Sequence, residues 1–268
     1  MPELIFFYIM DIKIPAYGLM MILGFLFSCV FEIYLCNKKN INIVNQLYLI
    51  AYILIASLLG AKLVYIFQNM EQFINQLPYI ITDFKRFMDY LGGGFVFYGG
   101  LIGGAIGTIF YANVFKINAI KNIETFVIVI PFFHCVGRIG CFLAGCCYGI
   151  EYNGLFKIMY TEAIAAPNGI NLFPVQLLEA LLNFLLFLFL VWIDKWLKKP
   201  LSDFGIYLVL YGAIRFFLEF LRGDLIRGIY ILSFSQWISL LVVLIGIYII
   251  IISTKKNLFV KLINKIDR

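Results

Sequence analysis

The chain has 268 residues, of which 63% are hydrophobic and 13% are charged, and its mean hydropathy is +0.96. Soluble domains have roughly 45–50% apolar and about 25% charged residues, so this composition excludes an ordinary soluble fold. The net charge is +6, but the basic residues are scattered between apolar segments, and this pattern argues against a nucleic-acid partner.

Seven hydrophobic stretches follow one another along the chain, each about long enough to cross a bilayer as a helix. They are residues 16–36, 45–68, 95–115, 123–143, 175–193, 204–221 and 233–252. We predict an all-α polytopic membrane protein with about seven transmembrane helices, forming one integral membrane domain over residues 1–268. Pro131 is expected to kink the fourth stretch, so six spans is the main competing count.

The distribution of Lys and Arg between the loops predicts the orientation in the membrane. Twelve lie on one side, at residues 38–39, 116–121, 195–199 and 255–268, and six lie on the other. The more basic side belongs in the cytoplasm, so we predict that the N-terminus is outside and the C-terminus is inside. The long segments 69–94 and 144–174 then lie outside.

Arg138 stands among glycines and cysteines in the segment 137–149, GRIGCFLAGCCYG. A charge near the apolar part of a bilayer costs ~2.5–3.5 kcal/mol on insertion scales, so such a residue is retained when it has an anionic partner. Glycines allow a backbone to approach a ligand closely. The segment therefore predicts an anion pocket at the membrane surface, where the natural anion is a lipid phosphate.

The fifth and sixth stretches each carry a polar stripe along one helix face. The stripes consist of Gln176, Glu179 and Asn183 on the fifth stretch and of Tyr211, Arg215, Glu219 and Arg222 on the sixth. Ionised residues are expensive in lipid even when paired, so the stripes indicate a shared hydrated cavity. A self-contained Arg215–Glu219 ion pair is the alternative. His134, four residues before Arg138, is a further candidate.

Glycines at positions 99, 103 and 107, and again at 100 and 104, recur every four residues. This spacing is typical of two helices that touch closely in lipid, and packing is its leading explanation. Lys62 lies inside the second stretch, where it either extends to the membrane surface or has a buried partner.

Four of the six cysteines crowd around the Arg138 segment: Cys135, Cys141, Cys146 and Cys147. They are open to three interpretations, namely a disulfide, a metal site or small packing residues. Their spacing matches no zinc or thioredoxin-like pattern, so we predict neither a metal nor a cofactor.

An ordered set of motifs resembles the bacterial phosphatidylglycerol–prolipoprotein diacylglyceryl transferase family over nearly the whole chain. The motifs are YGLM from Tyr17, GAKLVY from Gly60, FYGGLIG from Phe97, GRIGCF from Gly137 with Gly149, PVQLLEA from Pro174, RFFLEFLR from Arg215, and SQ at Ser235. The resemblance implies transfer of the diacylglyceryl group of phosphatidylglycerol to the cysteine thiol of prolipoproteins, with release of glycerol phosphate. It also implies seven spans with the N-terminus outside.

The resemblance assigns the family's phosphate-binding arginine to Arg138, its Arg/Glu pair to Arg215 and Glu219, and its fifth-span glutamate to Glu179. Tyr98 stands where the family usually has a histidine, and we predict catalytic roles for Arg138, Arg215, Glu219 and Tyr98. Lipid contacts are predicted for Arg138, Tyr17, Gly99, Gly100, Gly149 and Glu179. Cys141, Ala144 and Cys146 replace the polar Asn, Asn and Glu of the family.

The resemblance further implies phosphatidylglycerol, prolipoprotein signal peptides and membrane lipids as partners, and the bacterial cytoplasmic (inner) membrane as the location. The departures at Tyr98, Cys141 and Cys146 leave two alternatives. One is a divergent member that uses the same lipid with another acceptor or transfers the headgroup. The other is a non-enzymatic lipid or solute transporter.

Overall fold

The computed structural model describes residues 6–9, 12–117, 119–197, 199–224 and 231–254. The described chain is mostly helical. Its helices are α1 (Ala16–Lys39), α2 (Ile43–Gln68), α3 (Met70–Thr82), α4 (Phe84–Gly92), α5 (Phe97–Phe115), α6 (Ala119–Ala144), α7 (Val175–Asp194), α8 (Ser202–Leu218) and α9 (Phe234–Thr254). The all-α prediction omitted two short antiparallel strand pairs, β1 (Phe6–Ile9) with β2 (Ile12–Pro15) and β3 (Ile158–Met159) with β4 (Asn171–Leu172).

Six helices are long and apolar enough to span a membrane: α1, α2, α6, α7, α9, and α8 together with the 3-10 turn Glu219–Leu221 that extends it. Helix α5 is apolar but shorter, with its apolar part at Gly99–Phe115. The fourth predicted stretch is a single helix that continues through Pro131 to Ala144. The seven-span count therefore depends on α5 and not on α6.

The contacts divide the chain into two units, residues 1–38 with 123–268, and residues 39–122. In the first unit, buried apolar residues of α1, α6, α7 and α8 form one core that includes Leu35, Ile128, Leu190 and Tyr207. Close packing of α1 on α6 explains one glycine of the Arg138 segment. A Cβ on Gly140 would lie 3.1 Å from the Met20 Cβ, whereas one on Gly137 would make an ordinary contact with the Met21 Sδ at 3.4 Å.

The five long helices of the first unit alternate in direction. Lys38 pairs with Asp194 across 3.8 Å, and Glu124 accepts a hydrogen bond from the Leu201 N–H at 2.5 Å. These contacts place the ends of α1 and α7 beside the starts of α6 and α8. We name this end of the first unit the Lys38 end. The opposite end, named the Arg138 end, holds the ends of α6 and α8 and the starts of α1, α7 and α9.

In the second unit, α2 and α5 pack against each other in antiparallel directions. A Cβ on Gly99 or Gly103 would overlap the backbone of Gly60 or Ala56, and one on Gly107 would lie 2.6 Å from the Ala56 Cβ. The helices touch this closely only because glycine has no side chain. The prediction that the four-residue glycine repeat serves helix packing is confirmed.

The segment 69–94 is not a loop throughout, as predicted, but contains the helices α3 and α4. Lys62 of α2 is buried and has a partner in this region. Its ammonium donates to the carbonyl oxygens of Tyr90 and Gly93, the latter at 2.7 Å, and lies 3.9 Å from the centre of the Tyr90 ring. Lys62 thereby fixes the segment that connects α4 to α5.

The segment 145–174 folds over the Arg138 end of the first unit. Tyr160, Ala166 and Leu172 form a small buried cluster. Backbone hydrogen bonds join this segment to the residues after α8, from Ile150 N–H to Leu221 O at 3.0 Å and from Gly223 N–H to Tyr148 O at 3.0 Å.

Candidate active site

Arg138 and Glu179 form a buried ion pair at the Arg138 end. The Arg138 Nη2 atom lies 2.9 Å from Glu179 Oε1, and the side chains are 14% and 2% exposed. Helix α6 presents the arginine and the first turns of α7 present the glutamate. The anionic partner that the sequence predicts for Arg138 is thus supplied first by the chain itself.

His134 approaches the same carboxylate from one helical turn earlier on α6. Its Nε2 atom lies 3.6 Å from Glu179 Oε1, and its ring centre lies 5.4 Å from that of Tyr211. The shared face expected for His134 and Arg138 is present, and both side chains meet at Glu179.

Arg215 and Glu219 form a second pair, which is tied to the start of α9. Arg215 Nη2 lies 2.6 Å from Glu219 Oε2 and donates to Ser235 Oγ at 3.1 Å. Ser233 Oγ donates to Glu219 Oε1 at 3.0 Å, and the Ser233 N–H donates to Gln236 Oε1 at 2.9 Å. The pair therefore belongs to a network across two helices and is not self-contained on α8.

Arg222 adds a third buried arginine, which was part of the sixth-span stripe but not of the predicted site. Its Nη2 donates to Asp224 Oδ2 at 2.6 Å, and its side chain is 4% exposed. Burial by itself would lower the pKa of Arg222, but the hydrogen bond to Asp224 and the negative charges of Cys147 and Asp224 together raise that pKa. The sequence predicts one shared helix face for Tyr211 and Arg222 from their 11-residue spacing, whereas Arg222 follows the 3-10 turn in an extended conformation.

The three arginines converge on one region. Arg138, Arg215 and Arg222 all interact electrostatically with the phenol of Tyr211, as does Glu179. Each guanidinium also keeps one buried nitrogen without a hydrogen-bond partner among the described residues: Arg138 Nε, Arg215 Nη1 and Arg222 Nε. A guanidinium has five N–H donors, and one carboxylate accepts at most two in the bidentate geometry. The cluster therefore has donors left for a further anion.

Three thiols lie beside these arginines. The sulfur atoms of Cys141, Cys146 and Cys147 are all within 4.8 Å of one another, and Arg138 Nη1 donates to Cys141 Sγ at 3.9 Å. All six cysteines carry free thiols. Hydrogen bonds from Cys141 and then Cys146 lower the pKa of the Cys147 thiol, and Arg222 and Arg138 add to this effect.

Gln176 and Tyr160 hold the backbone around these thiols. Gln176 Nε2 donates to the Cys146 carbonyl at 2.9 Å, and the Tyr160 hydroxyl donates to the Phe142 carbonyl at 3.1 Å. Burial raises the pKa of Tyr160, so its hydroxyl keeps the proton that it donates. The first residue of the fifth-span stripe therefore positions the cysteine segment.

Two of the residues predicted to contact lipid have different surroundings in the structure. Tyr17, at the start of α1, lies near Arg138 and the three thiols, with which it interacts electrostatically. Gly149 lies against backbone, because a Cβ there would overlap the Phe173 carbonyl and lie 3.1 Å from Leu221 O. Packing thus accounts for Gly149, and its contact with lipid stays a prediction.

Tyr98, Gly99 and Gly100 belong to the second unit. Gly99 packs on α2, and a Cβ on Gly100 would lie 3.5 Å from Ser57 O. The side chain of Tyr98 lies outside the described residues. The catalytic role of Tyr98 and the lipid contacts of Gly99 and Gly100 stay predictions.

Comparison with known proteins gives a consistent match. Residues 4–252 match the family model described as prolipoprotein diacylglyceryl transferase. The chain is 35% identical over 246 residues to phosphatidylglycerol–prolipoprotein diacylglyceryl transferase of Clostridium tetani, covering 91% of this chain and 95% of the relative. It is 32% identical to phosphatidylglycerol–prolipoprotein diacylglyceryl transferase 2 of Clostridium perfringens, and the match covers 93% of this chain and 94% of the relative. It is 30% identical to the corresponding transferase of Finegoldia magna, and the match covers 94% of this chain and 96% of the relative.

Proposed function

The chain belongs to the prolipoprotein diacylglyceryl transferase family, and on this basis we propose that the arginine cluster at the Arg138 end is its site for phosphatidylglycerol. The chain is a transferase that moves the diacylglyceryl group of phosphatidylglycerol to prolipoprotein. The acceptor is the cysteine of a prolipoprotein signal peptide, and the other product is glycerol phosphate.

One observation carries the assignment of the site. Three buried arginines from α6, α8 and the residue after its 3-10 turn converge, and each retains a buried nitrogen without a partner among the described residues. Buried polar atoms are normally satisfied, so an unsatisfied set of cationic donors indicates a ligand with acceptor oxygens. A lipid phosphate has such oxygens, and guanidinium groups bind phosphate with two parallel hydrogen bonds.

The arrangement supports a direct displacement. The thiolate sulfur of the acceptor attacks the glycerol carbon that carries the phosphate, a C–S bond forms, and the C–O bond to phosphate breaks. Negative charge develops on the departing phosphate, where Arg138 and Arg215 stabilise the transition state. The thiol loses its proton before or during attack, and a cationic environment lowers the pKa of a thiol. The three guanidiniums supply that environment.

The decisive test measures transfer from labelled phosphatidylglycerol to a lipobox peptide by mass analysis. Arg138→Ala is expected to lower transfer by ~10²-fold or more, as loss of a donor to developing charge does elsewhere. Arg138→Lys keeps the charge but loses the planar fork, and it should fold while still transferring slowly.

Arg86→Ala is the matched control. Arg86 pairs with Asp83 in the second unit and its side chain is 59% exposed, so transfer should stay at the wild-type rate. Near wild-type transfer by Arg138→Ala would refute the role of the arginine. Failure of the wild-type protein to modify the peptide, with lipid consumed, would indicate another acceptor.

We also propose that α5 crosses the bilayer as a seventh span, with the N-terminus outside, the C-terminus inside and the protein in the bacterial inner membrane. The apolar character of α5, its close packing on α2 along its length and the distribution of basic residues support this topology. The Arg138 end would then open to the outside.

A further inference from the structure

We propose that Cys141, Cys146 and Cys147 form a three-thiolate binding site for a soft d10 cation of the Zn²⁺ or Cu⁺ class. The observation is geometric: three sulfur atoms from one short segment lie within 4.8 Å of one another. This is the one group of three or more potential metal ligands that the described residues contain. Soft thiolate ligands select Cu⁺ and Zn²⁺ over hard cations.

The distances are close to those that coordination requires. A Zn–S bond is ~2.3 Å, which places tetrahedral ligand sulfurs about 3.8 Å apart. The sulfur positions therefore need to contract by no more than about 1 Å. Cys141 is on the last turn of α6, and the Cys146 N–H donates to the Cys141 carbonyl at 3.1 Å. This bond folds the chain back and brings the later cysteines to the first.

Two arginines lie beside the thiols. Arg138 contacts Cys141 Sγ directly, and Arg222 and Arg138 act electrostatically on Cys147. Neighbouring cations stabilise thiolates, and Arg138 and Arg222 lie beside the single negative charge that three thiolates leave after they bind a divalent cation. Gln176 and Tyr160 fix the surrounding backbone, so the site is held by packed residues of α7 and of the segment after α6.

A metal titration tests the site without any use of transfer activity. Reduced, metal-free protein in detergent is titrated with Cd²⁺, whose thiolate complexes absorb in the ultraviolet. The band should grow to saturation at one ion per chain and should be lost in Cys146→Ser/Cys147→Ser. The triple variant Cys29→Ser/Cys36→Ser/Cys135→Ser is the matched control and should keep the full band. Displacement of Cd²⁺ by Zn²⁺ or by Cu⁺ identifies the cation.

A second measurement needs no variant. Bound Cd²⁺ should protect Cys141, Cys146 and Cys147 of the wild-type protein from alkylation, read by peptide mass analysis, and should leave the reactivity of Cys29 unchanged. Absence of the band in the wild type, its persistence in the double variant, or lack of protection would overturn the site. A disulfide joining two of the three thiols in protein alkylated at the moment of cell lysis would overturn it as well.

Discussion

At the scale of single residues, Arg138 and Glu179 have two separable roles. Each stabilises the other in a buried position, where removal of one partner leaves an uncompensated charge. The arginine also has a proposed role in binding phosphate, which the glutamate does not share. A loss of activity in a single variant could come from lower stability or from lost phosphate binding, so the two residues have to be changed together.

We expect Glu179→Ala to destabilise the protein by about 3–5 kcal/mol, because it leaves the Arg138 guanidinium buried without its carboxylate. The double variant Arg138→Met/Glu179→Leu replaces the pair by apolar side chains and should recover most of that stability, as such replacements are often neutral. Transfer should nevertheless be lost in the double variant. Thermal unfolding in detergent and the transfer assay check the two parts, and transfer by a stable double variant would contradict the phosphate role.

At the scale of helices, the α2–α5 contact depends on the absence of side chains at a few positions. Gly103→Ala should destabilise the protein by about 1–3 kcal/mol, because the new Cβ overlaps the Ala56 carbonyl and over-packed contacts cost energy of this size. Gly92→Ala is the control, since a Cβ there meets no heavy atom within 4 Å. Thermal unfolding should distinguish the two, and equal stability would mean that α2 and α5 separate to admit a methyl group.

The sequence predicted most of the helices and the polar residues at their ends, because hydrophobic runs and charged residues within them are local signals. It did not predict α3 and α4, which lie between the apolar stretches where no long hydrophobic run marks them. The sequence predicts that the glycines of the Arg138 segment let a ligand approach, whereas Gly140 allows α1 to pack closely on α6. That packing, like the meeting of Cys141 with Cys147, depends on how the chain turns after α6, which residue types alone do not determine.

At the scale of the whole molecule, the direction of the helices bears on the number of spans. The end of α1 and the start of α6 both lie at the Lys38 end of the first unit, through the contacts Lys38–Asp194 and Glu124–Leu201. The chain between them must therefore cross the bilayer an even number of times. If α2 crosses, as its length and apolar character allow, a second crossing has to follow, and α5 is the helix that we propose for it.

This argument predicts the side on which each loop lies. A reporter phosphatase that is active only outside the cytoplasm should be active when inserted after Asp83 or Gly154 and inactive after Ile117 or Lys195. The comparison of the insertions after Asp83 and after Ile117 is decisive, because α5 is the apolar helix between these two positions. Equal activity at these two positions would show that α5 does not cross, and the end of α1 and the start of α6 would then lie on opposite sides of the bilayer, against the contacts at the Lys38 end. Activity after Lys195 would instead reverse the orientation and place the arginine cluster on the cytoplasmic side.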